Sequence, residues 1–334
     1  MKITLLVLFS LLSVVAGAQE EDPKALHETA KKYIQQSDYS NALLVLNKAL
    51  EREPENSGLL KDQAFVYYLQ RDYVKSTAVS QKLLDRKDAD VQTYQIAAMP
   101  FKALDNTKEL DRLYKKGLKQ FPNSGVLYNE YGELLWGKED YSAIRQWQKG
   151  IEVDPNLAGN YYNAAKYYYF TLDKVWSIIY GEIFVNVESY SRRTVEMKGI
   201  LLNSYKKLFT DSDMKKNQND KNPLVSAFLN TMSKQAAIIS RGITPESLIM
   251  LRTRFILEWH SKSAAAFPHR LFEYQQQLIR EGMYEAYNQW IFGAAQDLTA
   301  FQNWINTHQE EYNKFTSFQK GRVFKLLPNQ FYNR

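Results

Sequence analysis

One spacing constrains this chain more than any other feature. Ala30, Tyr33 and Tyr39 are followed by Ala64, Tyr67 and Tyr73, each about 34 residues further on. The stretch from Pro23 to Asn56, PKALHETAKKYIQQSDYSNALLVLNKALEREPEN, carries two short amphipathic helical patterns around a turn at Ser37-Asp38. The small residues Ala30, Ala42 and Ala49 sit where two helices would cross closely. Tyr33, Tyr39 and Leu46 fill the space beside them, and Pro54 closes the unit. A hairpin of this size cannot bury its apolar face alone, so the rest of the chain must supply neighbours.

The neighbours are visible in phase. A second unit starts near Ser57, with Ser76 replacing the packing alanine and the polar turn Arg86 to Asp90 in place of a closing proline. A third carries Tyr94, Ala98 and Phe101, then Leu110, Tyr114 and Gly117, and closes at Pro122. A fourth gives Tyr128, Gly132 and Leu135, then Ala143, Trp147 and Gly150, and closes at Pro155. A fifth begins with Tyr162, Ala165 and Tyr168, but its second half, Lys174 to Glu188, leaves the pattern. The chain resembles the tetratricopeptide repeat family over Pro23 to Asn156. Its Tyr-, Asn- and Lys-rich composition also resembles exported proteins of the Bacteroidota. The resemblance implies an all-α, tetratricopeptide-type helix-hairpin solenoid.

The expected organisation is a signal peptide at 1–18, a repeat domain at 19–210, a polar loop at 211–223 and a C-terminal α-helical region at 224–334. That last region would be a divergent repeat or a cap, because an uncovered terminal repeat exposes apolar surface. Ser191 reads as the N-cap of a helix to Phe209, and DSDMKKNQNDKN, residues 211–222, reads as an exposed loop. Leu224 to Ser240 reads as one helix. Thr244-Pro245-Glu246 is a strong helix start, with Leu248, Leu251, Phe255 and Trp259 on one face. Pro268 would open the next helix. Residues 280–296 echo a turn and second helix, and a last helix is expected from Leu298 to Phe318.

The N-terminus has the pattern of a Sec signal: Lys2, an apolar run from Ile3 to Val15, then Ala16-Gly17-Ala18. No cysteine follows it, so a lipoprotein anchor is not expected, and the chain has no cysteine at all. It also lacks an Asn-x-Ser/Thr sequon. Both absences point to a bacterial periplasm, or secretion, as the destination. Val175 to Val187 is the most apolar later stretch, but Glu182 interrupts it, so no membrane span is expected; peripheral membrane association stays open. The net charge of +6 is spread along mixed-sign helices, which reads as solvated faces. Nucleic acid is not an expected partner, since the basic residues of 206–221 alternate with Asp and Asn rather than with aromatics.

The resemblance also implies a site. In tetratricopeptide proteins the first helices of successive repeats line a concave groove. Carried over to this sequence, the groove-facing positions are Lys31, Lys61, Phe65, Tyr68, Lys102, Asn129, Trp136, Tyr162, Lys166 and Tyr169. His27, Gln95, Met99 and Glu133 belong to the same groove-facing set. Such a surface suits a protein partner, either a cell-envelope protein or an exported peptide segment, with aromatic anchors and lysines facing carboxylates. A one-residue change of register would instead put these side chains in the core. A glycan- or peptide-binding module is the alternative, to be distinguished by whether Trp136 and Tyr169 line a deep cleft.

Catalysis finds little support. The four histidines, His27, His260, His269 and His308, have no metal-ligand spacing, and Asp211-Ser-Asp213 stands in a Lys-rich loop without a Gly-rich context. No cofactor, metal or catalytic residue is expected. An enzyme in the C-terminal half would need Glu258, His260, His269 or His308 to converge on one pocket.

Overall fold

The computed structural model describes residues 22–210 and 213–327. The expected signal peptide and Asp211 lie outside the described residues. The chain divides into two compact units, with the division between Asn106 and Thr107.

The first unit holds α1 (Pro23–Gln35), α2 (Tyr39–Arg52), α3 (Ser57–Leu69), α4 (Tyr73–Leu84) and α5 (Val91–Ala103). Each helix packs on the next. The core of the first hairpin is built from small and branched residues: Leu26, Ala30, Ala42, Leu46 and Ala49, joined by Leu59 and Val66 of α3. The three alanines are fully buried, as the close crossing requires, and Tyr33 and Tyr39 pack half-buried against them. Ser76 takes the alanine's place in the second hairpin. Its hydroxyl donates to the Ala64 carbonyl at 2.9 Å, so the small residue also satisfies its own polar atom.

The turns repeat as strictly as the core. Ser37, Arg71, Asp105 and Glu139 have φ of 60°, 63°, 49° and 59°. They recur about 34 residues apart. The amides of the residues that follow, Asp38, Asp72, Asn106 and Asp140, each donate at 2.9 Å to the carbonyls of Tyr33, Tyr67, Phe101 and Leu135. This is the helix-ending geometry in which a left-handed residue lets the chain recover the last free carbonyls. Asp38 and Asp72 then cap the following helix, accepting from the amides of Asn41 and Lys75. One dipeptide thus ends one helix and starts the next.

The second unit begins with α6 (Thr107–Gln120), α7 (Gly125–Gly137), α8 (Ala143–Val153), α9 (Ala158–Phe170), α10 (Lys174–Val187) and α11 (Arg192–Leu208), again packed in sequence. Here glycine makes the close crossing. A Cβ on Gly132 of α7 would lie 2.4 Å from the indole nitrogen of Trp147 on α8. The turn into α10 departs from the repeat. Asp173 falls where the next left-handed residue is due, but α10 starts directly after it. The Lys174 ammonium instead takes the carbonyls of Tyr168 and Tyr169 at 3.0 and 3.1 Å, which caps α9 with a charge rather than a turn.

The C-terminal part comprises α12 (Pro223–Ser233), α13 (Pro245–Lys262), α14 (Arg270–Arg280), α15 (Tyr284–Asn288), α16 (Ala294–Gln296), α17 (Leu298–Thr307) and α18 (Gln309–Gly321). The helix starts expected at Ser191 and Thr244 are present, and each is a full capping box, with Thr194 and Ser247 as the reciprocal partners. Three expected spans are corrected. The helix from Leu224 ends at Ser233, and a 3-10 turn covers Ala236–Ile239 instead of a continuation to Ser240. A π-turn over Gln289–Gly293 widens the helix that was expected to run evenly to Gln296. It contacts α11, α13 and α17, and its residues are all buried. The last helix breaks at His308, whose ring stacks on Trp304 at 4.6 Å while its Nδ1 lies 3.0 Å from the Trp304 carbonyl. That side chain competes with the backbone for the carbonyl, and the helix restarts at Gln309.

α10 is the axis of this part. Every residue from Lys174 to Asn186 is buried, because α9, α11, α12 and α14 all pack on it. Glu182 in its middle is 1 % exposed and pairs with Arg252 of α13, which is equally buried. Glu182 also accepts from the Gln275 amide at 2.6 Å and the Tyr287 hydroxyl at 2.8 Å. Arg252 donates to Asn288 as well. The network explains why so apolar a helix carries a charge. No helix among the described residues is long and apolar enough to cross a membrane. The described residues contain helices, turns and irregular connections but no strand, an all-α, solenoid-type fold of consecutive hairpins.

Candidate partner-binding surface

In the first unit the carried-over positions lie on α1, α3 and α5. Lys31 is exposed and paired with Glu28 one turn away, at 2.8 Å. Lys61 is half-buried and held by Asp90 at 2.6 Å, with Gln92 at 3.3 Å. His27 lies 2.7 Å from the Asp62 carboxylate. Phe65 and Tyr68 are half-buried with near-parallel rings, and Tyr68 reaches Tyr73 on α4 at 6.0 Å. Lys102 is exposed near the end of α5.

In the second unit three of the positions come together. Asn129 on α7 bonds Glu133 one turn on, at 3.0 Å. Asn163 on α9 donates to both of them, at 3.0 Å each. Beside it, the Tyr162 hydroxyl donates to Glu196 of α11 at 2.5 Å, and the Lys166 ammonium donates to Glu196 at 2.8 Å and to Tyr162 at 3.2 Å. Arg193 lies over the Tyr162 ring at 5.1 Å. The result is a ladder of polar side chains across the first helices α7, α9 and α11.

The electrostatics of the ladder are self-consistent. Burial disfavours the Lys166 ammonium, yet the bonds to Glu196 and Tyr162 outweigh it and hold its pKa above the ordinary lysine value. The same two donors pull the Glu196 carboxyl below its usual range. Burial, with Glu196 beside it, raises the Tyr162 phenol. Lys31, Lys61 and Lys166 are therefore not bare charges waiting for a carboxylate. A partner's acidic group would share or replace an existing acid, and solvent screening makes such an exposed pair easy to exchange.

Trp136 and Tyr169 are not part of the ladder. Trp136 is half-buried in an aromatic cluster with Tyr141 at 5.7 Å, Trp147 at 6.2 Å and Tyr167 at 5.5 Å. Tyr169 lies under the Lys207 ammonium, 3.8 Å from the ring centre, and against Phe170. A cleft of about 420 Å³ does open nearby, but Tyr167, Tyr168, Asp173 and Trp176 line it, with the amides of Asn217 to Asn219. Burial pushes the Asp173 carboxyl up to about 6. Its Oδ2 accepts from the Asn219 amide at 3.3 Å, so the polar loop after residue 212 folds back onto the start of α10.

Asn163, Arg193 and Glu196 were missed by the carry-over. The signal was in the spacing: Asn163 follows Asn129, and Glu196 follows Tyr162, by about one repeat. The residues considered for catalysis have structural surroundings. Glu258 is held by Lys234 and Lys262, and His260 lies 3.1 Å from the Phe272 carbonyl. His269 caps α14, accepting from the Leu271 amide at 3.3 Å, and burial lowers its pKa to about 4. His308 is stacked on Trp304. Among the described residues no group of three or more His, Cys, Asp or Glu could hold a metal ion.

No protein-family profile matches the chain. A stretch of 98 residues, 28 % of the chain, is 30 % identical to protein unc-45 homolog B of Xenopus laevis, and spans about a tenth of that relative's length. Two solved structures are similar. One is YrrB, described as a tetratricopeptide protein with an unusual peptide-binding site: TM-score 0.37, 16 % identity, covering 56 % of this chain and 88 % of that one. The other is a tetratricopeptide repeat protein from Parabacteroides merdae: TM-score 0.44, 15 % identity, covering 82 % of this chain and 99 % of that one. The fold assignment rests on the chain's own helix hairpins and on the turn geometry that repeats through them.

Proposed function

We propose that this chain is an exported tetratricopeptide-type scaffold that binds a protein partner, without catalysis of its own. The ladder on α7, α9 and α11 carries the reading. Asn129, Asn163, Tyr162, Lys166 and Glu196 present amides, a phenol and paired charges along one line, half-exposed. Amide side chains that bond one another can exchange those bonds for the N–H and C=O groups of an extended segment. Such exchange favours recognition of a polypeptide over that of a small molecule. The signal-like N-terminus supports a periplasmic or secreted setting, and a partner within a cell-envelope assembly, as for periplasmic tetratricopeptide proteins of the Bacteroidota.

The test is site-specific photocrosslinking in cells. A photoreactive side chain at Asn129 or Asn163 should trap one envelope protein. The same group at Lys149 on α8, a second-helix control, should not. Equal capture from both positions, or none from either in a folded protein, would refute the assignment. The periplasmic setting is checked separately, by N-terminal sequencing of the mature chain after osmotic shock.

A further inference from the structure

Residues 322–327 follow α18 outside any helix, leave it through an extended Arg322, and dock within the second unit. Their burial alternates. Phe324 and Leu326 are 5 % and 1 % exposed, while Val323 and Leu327 are 75 % and 61 % exposed. Such alternation is that of an extended peptide presenting every second side chain to a receptor. The backbone is gripped too. The Asn156 side chain, from the loop between α8 and α9, accepts the Leu326 amide at 3.0 Å and donates to the Leu326 carbonyl at 3.2 Å. One side-chain amide thus satisfies both polar groups of one residue, whatever that residue's side chain.

The remaining contacts are equally ligand-like. The Phe324 ring meets Tyr274 of α14 at 5.5 Å, with the Arg270 guanidinium 5.6 Å away. The Arg322 guanidinium lies over the Tyr274 ring at 4.2 Å and donates to Asn186 at 2.7 Å. A cleft of about 380 Å³ stays open beside the segment, lined by Asn186, Ser189 and Tyr190 on one side and by Arg322 to Lys325 on the other.

We propose that the surface formed by Asn156, Asn186, Arg270 and Tyr274 is a docking groove for an extended peptide of a partner protein. The peptide would carry apolar residues at two positions two apart, with a basic residue two before the first. Residues 322–327 occupy the groove in cis until such a peptide displaces them. This groove is separate from the α7–α9–α11 ladder, so either assignment can fail without the other.

The experiment uses the full chain and a fluorescein-labelled peptide of sequence KGRVFKLL, followed by anisotropy. A tethered segment competes at an effective concentration of about millimolar, so the Phe324→Ser/Leu326→Ser chain should bind the peptide at least roughly tenfold more tightly than the wild type. Adding Asn156→Ala to that variant should weaken binding, and a peptide with both apolar residues changed to Ser should not bind. A folded double variant that binds no better than the wild type would overturn the proposal. If the variant does not fold, hydrogen exchange on the wild type decides. Excess peptide should speed exchange at the Leu326 amide, and unchanged protection would overturn the proposal. A concentration-dependent dimer abolished by Leu326→Ser would overturn the partner assignment, because a second copy would then be the occupant.

Discussion

The first hairpins and the α10 neighbourhood solve the same packing problem in opposite ways. In α1 to α4 the helices approach through Ala30, Ala42, Ala49 and Ser76, and the buried polar atom of Ser76 bonds a backbone carbonyl only 12 residues away. Around α10 the contact is made by a buried ion pair and its amides. Arg252 is 70 residues from Glu182, and the Arg322 that bonds Asn186 is 136 residues from it. The first arrangement is repeatable, because each hairpin needs only its neighbour. The second is made once, from four elements, and tolerates no partial assembly. A half-satisfied buried network is worse than none.

The sharpest way to break this contrast is Arg252→Met. It leaves Glu182 buried without its partner and should cost about 3–5 kcal/mol in denaturant unfolding. Glu182→Met/Arg252→Met should recover most of that loss. A double variant as unstable as the single one would mean that the remaining amides, not the charge pair, hold α10 in place.

The turn where the repeat pattern stops offers the next test. Burial holds the Asp173 carboxyl at about 6 in the folded chain, above the ordinary aspartate range. The native state therefore holds this proton more tightly than the unfolded state does. The stability linked to it is complete below about pH 4 and is lost as the pH rises to about 6. Asp173→Asn should be more stable than the wild type above pH 6 by up to about 3 kcal/mol, with the gap closing by pH 4. A pH-independent difference would remove the carboxyl from the account.

Two smaller effects probe the repeats. Ala42→Leu should overpack the first crossing and destabilise by about 1–3 kcal/mol. An unchanged melting temperature would show that α1 and α2 can part without loss. Arg71→Gly should stabilise by about 0.5–1 kcal/mol, since φ of 63° favours a residue without Cβ. Loss of stability there would mean that the Arg71 side chain contributes more than the strain costs.

Much of this fold was legible because repeats carry their information locally. Ala30, Ala42 and Ala49, the Ser191 and Thr244 caps, and the apolar face of α13 were all read from residues within a few turns of one another. The period also places aspartates at 38, 72 and 140, with Asn106 between them, directly after the four left-handed residues that recur with the repeat, Ser37, Arg71, Asp105 and Glu139. The candidate surface was less legible. Lys166 was placed on the right helix, but whether its charge is free depends on Glu196, one repeat later. Trp136 reads the same whether it faces a partner or, as here, packs on Tyr167.

The sequence by itself determined the helix hairpins, their order and the small residues at their crossings, because spacing fixes which side chains share a helix face. Only the tertiary structure decided that Glu182 is paired rather than exposed, that the last helix breaks at His308, and that residues 322–327 dock on Asn156. Those outcomes depend on groups brought together from distant parts of the chain, where the energy of a contact is set by burial and geometry and leaves no periodic trace in the sequence.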